Sequence, residues 1–286
     1  MILFAARTHP GLRREKNEDN YAADAELGLW VVADGVGGHS NGEVASAIAC
    51  EIIRNDVEDG KTLCNAIEHA HKSVLHEIAK RDAASNMGTT VVAMRMHQDE
   101  YEVAWVGDSR AYLYDGKLRQ LTRDHSAVND LLDSGAITPE QAKGHPQRHA
   151  LSRSLGVSDT NASAVSSITG TLRSGAQVLL CSDGLTDELN DAAIENELAL
   201  NDSPEAQAEA LLGAALAKGG RDNLTILVVG APGSRRRDGK TRTPDLETTQ
   251  NVGGAQVDST QGAGFPVGKI LLVLAVLMLA AVSVFS

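Results

Sequence analysis

LGLWVVADGVGGH, residues 27–39, is the stretch from which the rest of the chain can be read. An apolar run that ends in Asp-Gly is the pattern of a strand delivering a carboxylate to a tight loop. Rigid elements hold functional groups better than loops do, so Asp34 stands where its position can be fixed. Gly35 adds a second resource, because a residue without Cβ lets its backbone come close to a ligand. A carboxylate beside an available carbonyl is hard-oxygen donation of the kind Mg²⁺ and Mn²⁺ take. One carboxylate can also bridge two such ions about 3.5–4 Å apart, an arrangement that activates a water for in-line phosphoryl displacement. Asp-Gly is equally a common turn, so the pair alone decides nothing.

Working outward, comparable runs occur at 88–96 (GTTVVAMRM), 101–108 (YEVAWVGD), 110–122, 176–183 (AQVLLCSD) and 223–230 (NLTILVVG). Asp115-Gly116, between the apolar halves of 110–122, signals a hairpin. Helical periodicity marks 42–57, 61–82 and 203–219. In the last of these Ser203 is the N-cap, Pro204 opens the first turn and Gly219 supplies the stop. Two consecutive helices followed by hairpin-linked strands predict an α+β fold with antiparallel sheets rather than βαβ alternation.

The 286 residues are 42% hydrophobic and 22% charged, an ordinary globular balance with material for a sizeable core. Aromatics at 3% argue against a sugar-binding or base-stacking platform, and a net charge of -12 works against a general nucleic-acid binder. The three cysteines, Cys50, Cys64 and Cys181, lack CxxC spacing; neither a disulfide framework nor a structural zinc is indicated, and a reducing cytosol fits. Met1–Ala6 has no basic n-region or cleavage pattern. From Ala231 the composition turns small, polar and charged, which predicts a flexible linker over 231–267. Its cluster of Arg235, Arg236, Arg237, Lys240 and Arg242 suits anionic lipid and plain solvent equally. Residues 270–286 carry no charge, and about 17–20 apolar residues cross a hydrocarbon core. A single-pass C-terminal membrane helix is therefore expected at 268–286, with a folded domain at 1–230 on the cytoplasmic side.

Further acidic motifs fall at strand ends or in tight loops: Asn17-Glu18-Asp19, Ser182-Asp183-Gly184, Arg221-Asp222-Asn223 and Asp124-His125-Ser126. The full order is Gly11-x-x-Arg14-x-x-Asn17-Glu18-Asp19, Ala33-Asp34-Gly35-Val36-Gly37-Gly38-His39, Met87-Gly88-Thr89-Thr90, Gly107-Asp108-Ser109-Arg110, Leu121-Thr122-x-Asp124-His125-Ser126, Ser182-Asp183-Gly184-Leu185 and Asp222-Asn223-Leu224-Thr225. In residues and order this closely resembles the PPM family, the type 2C metal-dependent protein serine/threonine phosphatases, and most of all its compact bacterial branch. The resemblance spans residues 1–230. Val36 stands where the family often has methionine, a change that removes no ligand.

The resemblance implies an antiparallel β-sandwich flanked by helices, four layers in α/β/β/α order. It implies two core Mg²⁺ or Mn²⁺ ions bridged by Asp34, with the Gly35 carbonyl on one and Asp183 and Asp222 on the second. Glu18 and Asp19 would act through coordinated water, and a third ion would lie near Asp124, sharing Asp183. Arg14 matches the phosphate-binding arginine, and a planar guanidinium does grip two phosphate oxygens at once. His39 is the candidate general acid, its ordinary pKa being suited to proton donation. The stretch 133–156 resembles a flap beside the active site, able to gate substrates. The implied substrates are phosphoserine and phosphothreonine in proteins, and the implied partner is an opposing bacterial-type serine/threonine kinase.

Other signals are bland. His69, His71 and His76 suit surface or half-buried roles, His125 a hydrogen-bonding role, and Cys181 the core. Gly35-Val36-Gly37-Gly38 fails the GxGxxG pattern, since Ser40 stands where its last glycine belongs, and there is no Walker A lysine. Two other classes compete. A catalytically silent phosphoprotein-binding module would have lost carboxylates such as Asp34, Asp183 or Asp222, all of which are present; a membrane scaffolding protein leaves them unexplained.

Overall fold

The apolar runs lack the alternation of half-exposed strands because both faces of each sheet are covered. The computed structural model describes residues 2–37, 41–81, 87–142, 144–147, 150–157 and 164–231. One sheet is built from β1 (Phe4–His9), β7 (Arg110–Tyr114), β8 (Leu118–Gln120), β10 (Gln177–Cys181) and β11 (Leu224–Gly230), in spatial order β1-β11-β10-β7-β8. The other contains β2 (Asp19–Asp24), β3 (Leu29–Gly37), β4 (Met87–Thr89), β5 (Val91–His97), β6 (Glu100–Val106) and β9 (Ser166–Thr171), in order β2-β3-β5-β6-β9 with β4 beside the end of β3. All these pairings are antiparallel.

The period-2 geometry of a strand then sorts each run by face. Trp30 and Val32 of β3, Met94 of β5, Val103 and Trp105 of β6 meet Leu113, Val178, Leu180, Leu227 and Val229 of the first sheet in a core between the sheets. Their neighbours Leu29, Val31 and Ala33 face the opposite way, onto α1 (Asn41–Glu58) and α2 (Leu63–Lys80) through Ala49, Ile53, Leu63 and Ile67. On the far side Leu179, Cys181, Ile226 and Val228 pack on α5 (Asp183–Thr186), α6 (Asp191–Leu200) and α7 (Pro204–Lys218) through Leu185, Ile194, Leu198 and Leu211. The layers are thus helix, sheet, sheet, helix. Each fully buried large aliphatic side chain contributes about 1.5–3 kcal/mol of transfer free energy, which sets three stacked cores against the entropy of ordering the chain.

Helix boundaries follow the local chemistry. Ser203 Oγ accepts from Ala206 N (3.2 Å), Pro204 opens α7 and Gly219 ends it. Thr62 caps α2 in the same way, through Asn65 N. Between β8 and β9 lie α3 (Ala127–Asp133) and the short α4 (Pro139–Ala142). Strands β1, β2 and β9 and helices α3 to α6 were not expected from periodicity. Ala231, expected to begin the linker, is instead buried and donates its N–H to Ala176 O (3.0 Å), so the folded part extends one residue further. The remainder of the expected linker and the expected membrane helix lie outside the described residues. Among the described residues no helix is long and apolar enough to cross a membrane.

Candidate functional site

Five acids arrive at one end of the sandwich from five segments. Asp19 opens β2 and Asp34 stands directly opposite it on β3. Asp183 opens α5 just past β10, Asp222 precedes β11, and Asp108 follows β6. The first two belong to one sheet and the next two to the other, so the site straddles the seam between the sheets. Burial holds the Asp34 carboxyl well above the usual carboxylate range, and the charges of Asp19, Asp183 and Asp108 add to the effect. Burial likewise pushes Asp19 up to about 7, against hydrogen bonds from Ser182 and Thr225 and with help from the charges of Asp183 and Asp222. Asp108 is raised to about 7 by burial, then by Asp183 and Asp124. Acids crowded out of water with so little positive charge nearby are a signature of a functional site.

The surrounding loops explain how so unfavourable a cluster is held. Thr90 stands opposite Asp34 in the ladder: its N–H donates to Asp34 O (2.8 Å), as does the Thr89 hydroxyl (2.9 Å), and Thr90 Oγ1 meets Ser109 Oγ at 2.8 Å. Gly35 N donates to Glu18 O (3.2 Å), and a Cβ on Gly35 would collide with the backbone of Glu18 and Gly42, so α1 can close on the loop only with glycine here. Asn223 organises the other rim: its amide donates to Pro10 O (2.9 Å) and Lys16 O (2.8 Å), and its Oδ1 accepts from Glu18 N (2.8 Å). Gly11, at φ +80°, lies against Asp222 O where a side chain has no room.

Arg14 sits on this rim, half exposed, with Nη2 on Asp222 Oδ2 at 2.7 Å. The hydrogen bond and charge of Asp222 raise its pKa further, with smaller help from Glu18 and Asp183. The guanidinium therefore overlooks the cluster from the solvent side. His39 lies outside the described residues. Asp124 stands differently from the others: Arg110 holds both its oxygens, Nε at 2.9 and 3.0 Å and Nη2 at 2.7 Å, and Gln120 takes Oδ1 at 3.0 Å. Asp108, whose motif the sequence displays but to which no role was assigned, is, like Asp19, coupled by charge to both Asp34 and Asp183.

His125 makes hydrogen bonds. Gly107 N donates to its Nδ1 (3.1 Å), so Nε2 carries the proton and faces Ser166 Oγ at 2.9 Å. Burial first, then Arg153, push it down to about 4. Its carbonyl accepts Ser152 N (3.0 Å), and Leu155 exchanges two backbone hydrogen bonds with Thr89 (3.1 and 2.8 Å). The end of the expected flap is thus stitched to the loops that carry Asp108 and Asp34. His71 accepts from Gly156 N (3.2 Å), and His69 pairs with Asp56, so both serve packing. Cys181 is buried core, as expected.

The donor set fits a hard divalent cation. Asp19 Oδ1 is buried without a hydrogen-bond partner among the described residues, and the neighbouring ligand atoms are all oxygens. Among the described residues no three such groups already stand at coordination spacing.

Residues 13–218 match the family model described as protein phosphatase 2C. The chain belongs to the protein phosphatase 2C family. This is the family of the protein serine/threonine phosphatases, and its relatives agree. The serine/threonine protein phosphatase PstP of Mycobacterium tuberculosis is 36% identical over 236 residues, 80% of this chain but only 45% of that protein's length. The serine/threonine phosphatase stp of Listeria monocytogenes is 35% identical over 237 residues, 78% of this chain and 93% of that one. The crystal structure of the M. tuberculosis phosphatase PstP/Ppp superposes with a TM-score of 0.73 at 35% identity, covering 80% of this chain and 98% of that chain. A structure of the PstP catalytic domain in complex with 2 manganese ions gives 0.70 at 33% identity, with 80% and 97% covered.

Proposed function

We propose that this chain hydrolyses phosphoserine and phosphothreonine in proteins, using two Mg²⁺ or Mn²⁺ ions held by Asp34, the Gly35 carbonyl, Asp183 and Asp222. The observation that carries the reading is the convergence of buried, mutually repelling carboxylates across the seam between the sheets. When bound, the cations supply Lewis acidity to the phosphoryl oxygens and make a water nucleophilic at neutral pH. Glu18 and Asp19 act at one remove, through ordered solvent. Arg14 exchanges Asp222 for two phosphate oxygens and orients the ester for in-line attack. His39 delivers the proton to the departing serine or threonine oxygen. Asp183 and Asp108 would hold a third ion, since Arg110 already occupies both oxygens of Asp124.

The folded domain, ending at Ala231, acts in the cytoplasm; a linker over 232–267 and an anchor at 268–286 bring it to the membrane, where it reverses the work of a serine/threonine kinase. Phosphate release from a phosphothreonine peptide by the full chain tests the chemistry: release with Mn²⁺, lost in EDTA and in Asp34→Asn, is expected. A folded, Mn²⁺-loaded chain that releases nothing would leave a silent phosphoprotein-binding module. Retention in carbonate-washed membranes, lost on deletion of 268–286, tests the anchor.

A further inference from the structure

Ser182 precedes α5 in the N-cap position, yet its hydroxyl makes no capping hydrogen bond. A serine there ordinarily accepts from the N–H of the second or third helical residue. This hydroxyl is fully buried and turned toward the other sheet, donating to Asp19 Oδ2 (2.7 Å) and accepting from Thr225 N (3.0 Å). The direction is forced: a backbone N–H can only donate, which leaves the serine proton for the carboxylate.

A second line of donors meets the first. Thr225, also buried, sets its hydroxyl against Asp19 and within 2.9 Å of Thr8 Oγ1. Thr8 Oγ1 in turn accepts the Asn17 amide at 2.8 Å. Asn17 donates to Thr8, and a Thr225 proton turned to Asp19 leaves Thr8 to donate its own to Thr225. Both lines start at an amide and end on one carboxylate, whose second oxygen, Oδ1, is buried and unpartnered among the described residues.

We propose that Ser182 and Thr225 are positioning residues for Asp19: Ser182 holds the carboxylate by Oδ2, Thr225 sets a second hydroxyl beside it, and Oδ1 is thereby kept free for the cation site. The inference rests on the cation-binding reading of the cluster given above. It explains why a serine at a helix start forgoes its cap, and why three hydroxyls line up where a valine or alanine would pack as well.

Calorimetric titration of the full chain with Mn²⁺, without substrate, tests it. Ser182→Ala and Thr225→Val are expected to bind Mn²⁺ about fivefold more weakly, below the roughly tenfold or more of a direct ligand's lost partner because Asp19 itself acts through ordered solvent. Thr225→Ser, which keeps the hydroxyl, is expected to stay within about twofold of the unsubstituted chain. Thermal unfolding in EDTA checks that each variant is folded. Thr8→Val, at an exposed position, should show a smaller loss of about threefold, and it carries the test if a buried variant fails to fold. Unchanged affinity in the variants lacking a hydroxyl, or an equal loss in Thr225→Ser, overturns the inference while leaving the cation site standing. Absence of Mn²⁺ binding by the unsubstituted chain overturns the cation site, and this inference with it.

Discussion

Asp19 and Asp56 are both buried carboxylates, 7% and 5% exposed, and they live in opposite electrostatic worlds. Asp56, near the end of α1, receives Lys61 Nζ and His69 Nδ1, each at 2.7 Å. Burial pushes its carboxyl up, but those hydrogen bonds and charges outweigh it and hold the group below the usual range. Asp19 is pushed the other way, and its charged neighbours are more acids. The first carboxylate is buried with its countercharges and clamps α1 to α2. The second is buried with its rivals, a cost that a domain tolerates where a cation is to be bound.

Neutralising one acid in each place should separate the two roles. Asp34→Asn is expected to lower kcat/KM about a thousandfold, some 4 kcal/mol of transition-state stabilisation, while the metal-free variant unfolds at a higher temperature than its parent because the unfolded chain gains nothing by ionising an amide. A metal-free variant less stable than the parent would break the comparison. Next in size, Mn²⁺ at a hundred times its Kd should add about 2.7 kcal/mol to the unfolding free energy, measured by urea titration, and that increment should survive substitution at Asp56 but not at Asp34. Asp56→Ala should cost about 2 kcal/mol, below the usual figure for a broken buried pair because Lys61 and His69 are half exposed, and should leave kcat within about twofold.

The last comparison is in pH. Asp19 and Asp108, at about 7 when folded, lie above the roughly 3.9 of an unfolded aspartate. Between those values the folded, metal-free chain keeps protons that the unfolded chain has released, so its stability rises as the pH is lowered from 8 toward 4. The slope is at most about 1.4 kcal/mol per pH unit for each proton. His125, held down to about 4, opposes this below about 6.5, where the unfolded imidazole takes up a proton that the folded one refuses. Denaturation in EDTA should show the net gain, His125→Asn should steepen it, and Mn²⁺ should flatten it.

Much of this was legible in the sequence, and the part that was not has a common cause. The strands found from the sequence, β3, β5, β6, β7, β10 and β11, are interior, buried on both faces and therefore apolar throughout. The ones missed, β1, β2 and β9, are edge strands. Edges are half solvated, so SSITGT carries a single large apolar residue, the exposed Ile168, and DNYAAD only the exposed Tyr21. The edge strand β8 escaped that fate only because Asp115-Gly116 announced its hairpin. That same hairpin pairs Tyr112 with Gln120; its register carried two residues further sets Arg110 opposite Thr122, two residues short of Asp124, so the ion pair on Asp124 depends on the loop beyond the strand. Asp108 lay in plain view in Gly107-Asp108-Ser109-Arg110, but one acid beside one arginine looks like a paired surface charge until the strands are placed. The hydroxyls of Ser182, Thr225 and Thr8 left no signal, since their lines join residues far apart in the chain.

Because Asp19 and Asp34 ride on one sheet while Asp183 and Asp222 ride on the other, the site works as a caliper whose jaws are the sheets. The gap between the jaws is set by Trp30, Met94, Leu180 and Leu227, none of which belongs to the cluster of acids. Trimming one of those side chains would reset the gauge, and discrimination between a smaller and a larger cation would drift while the chain was still folded.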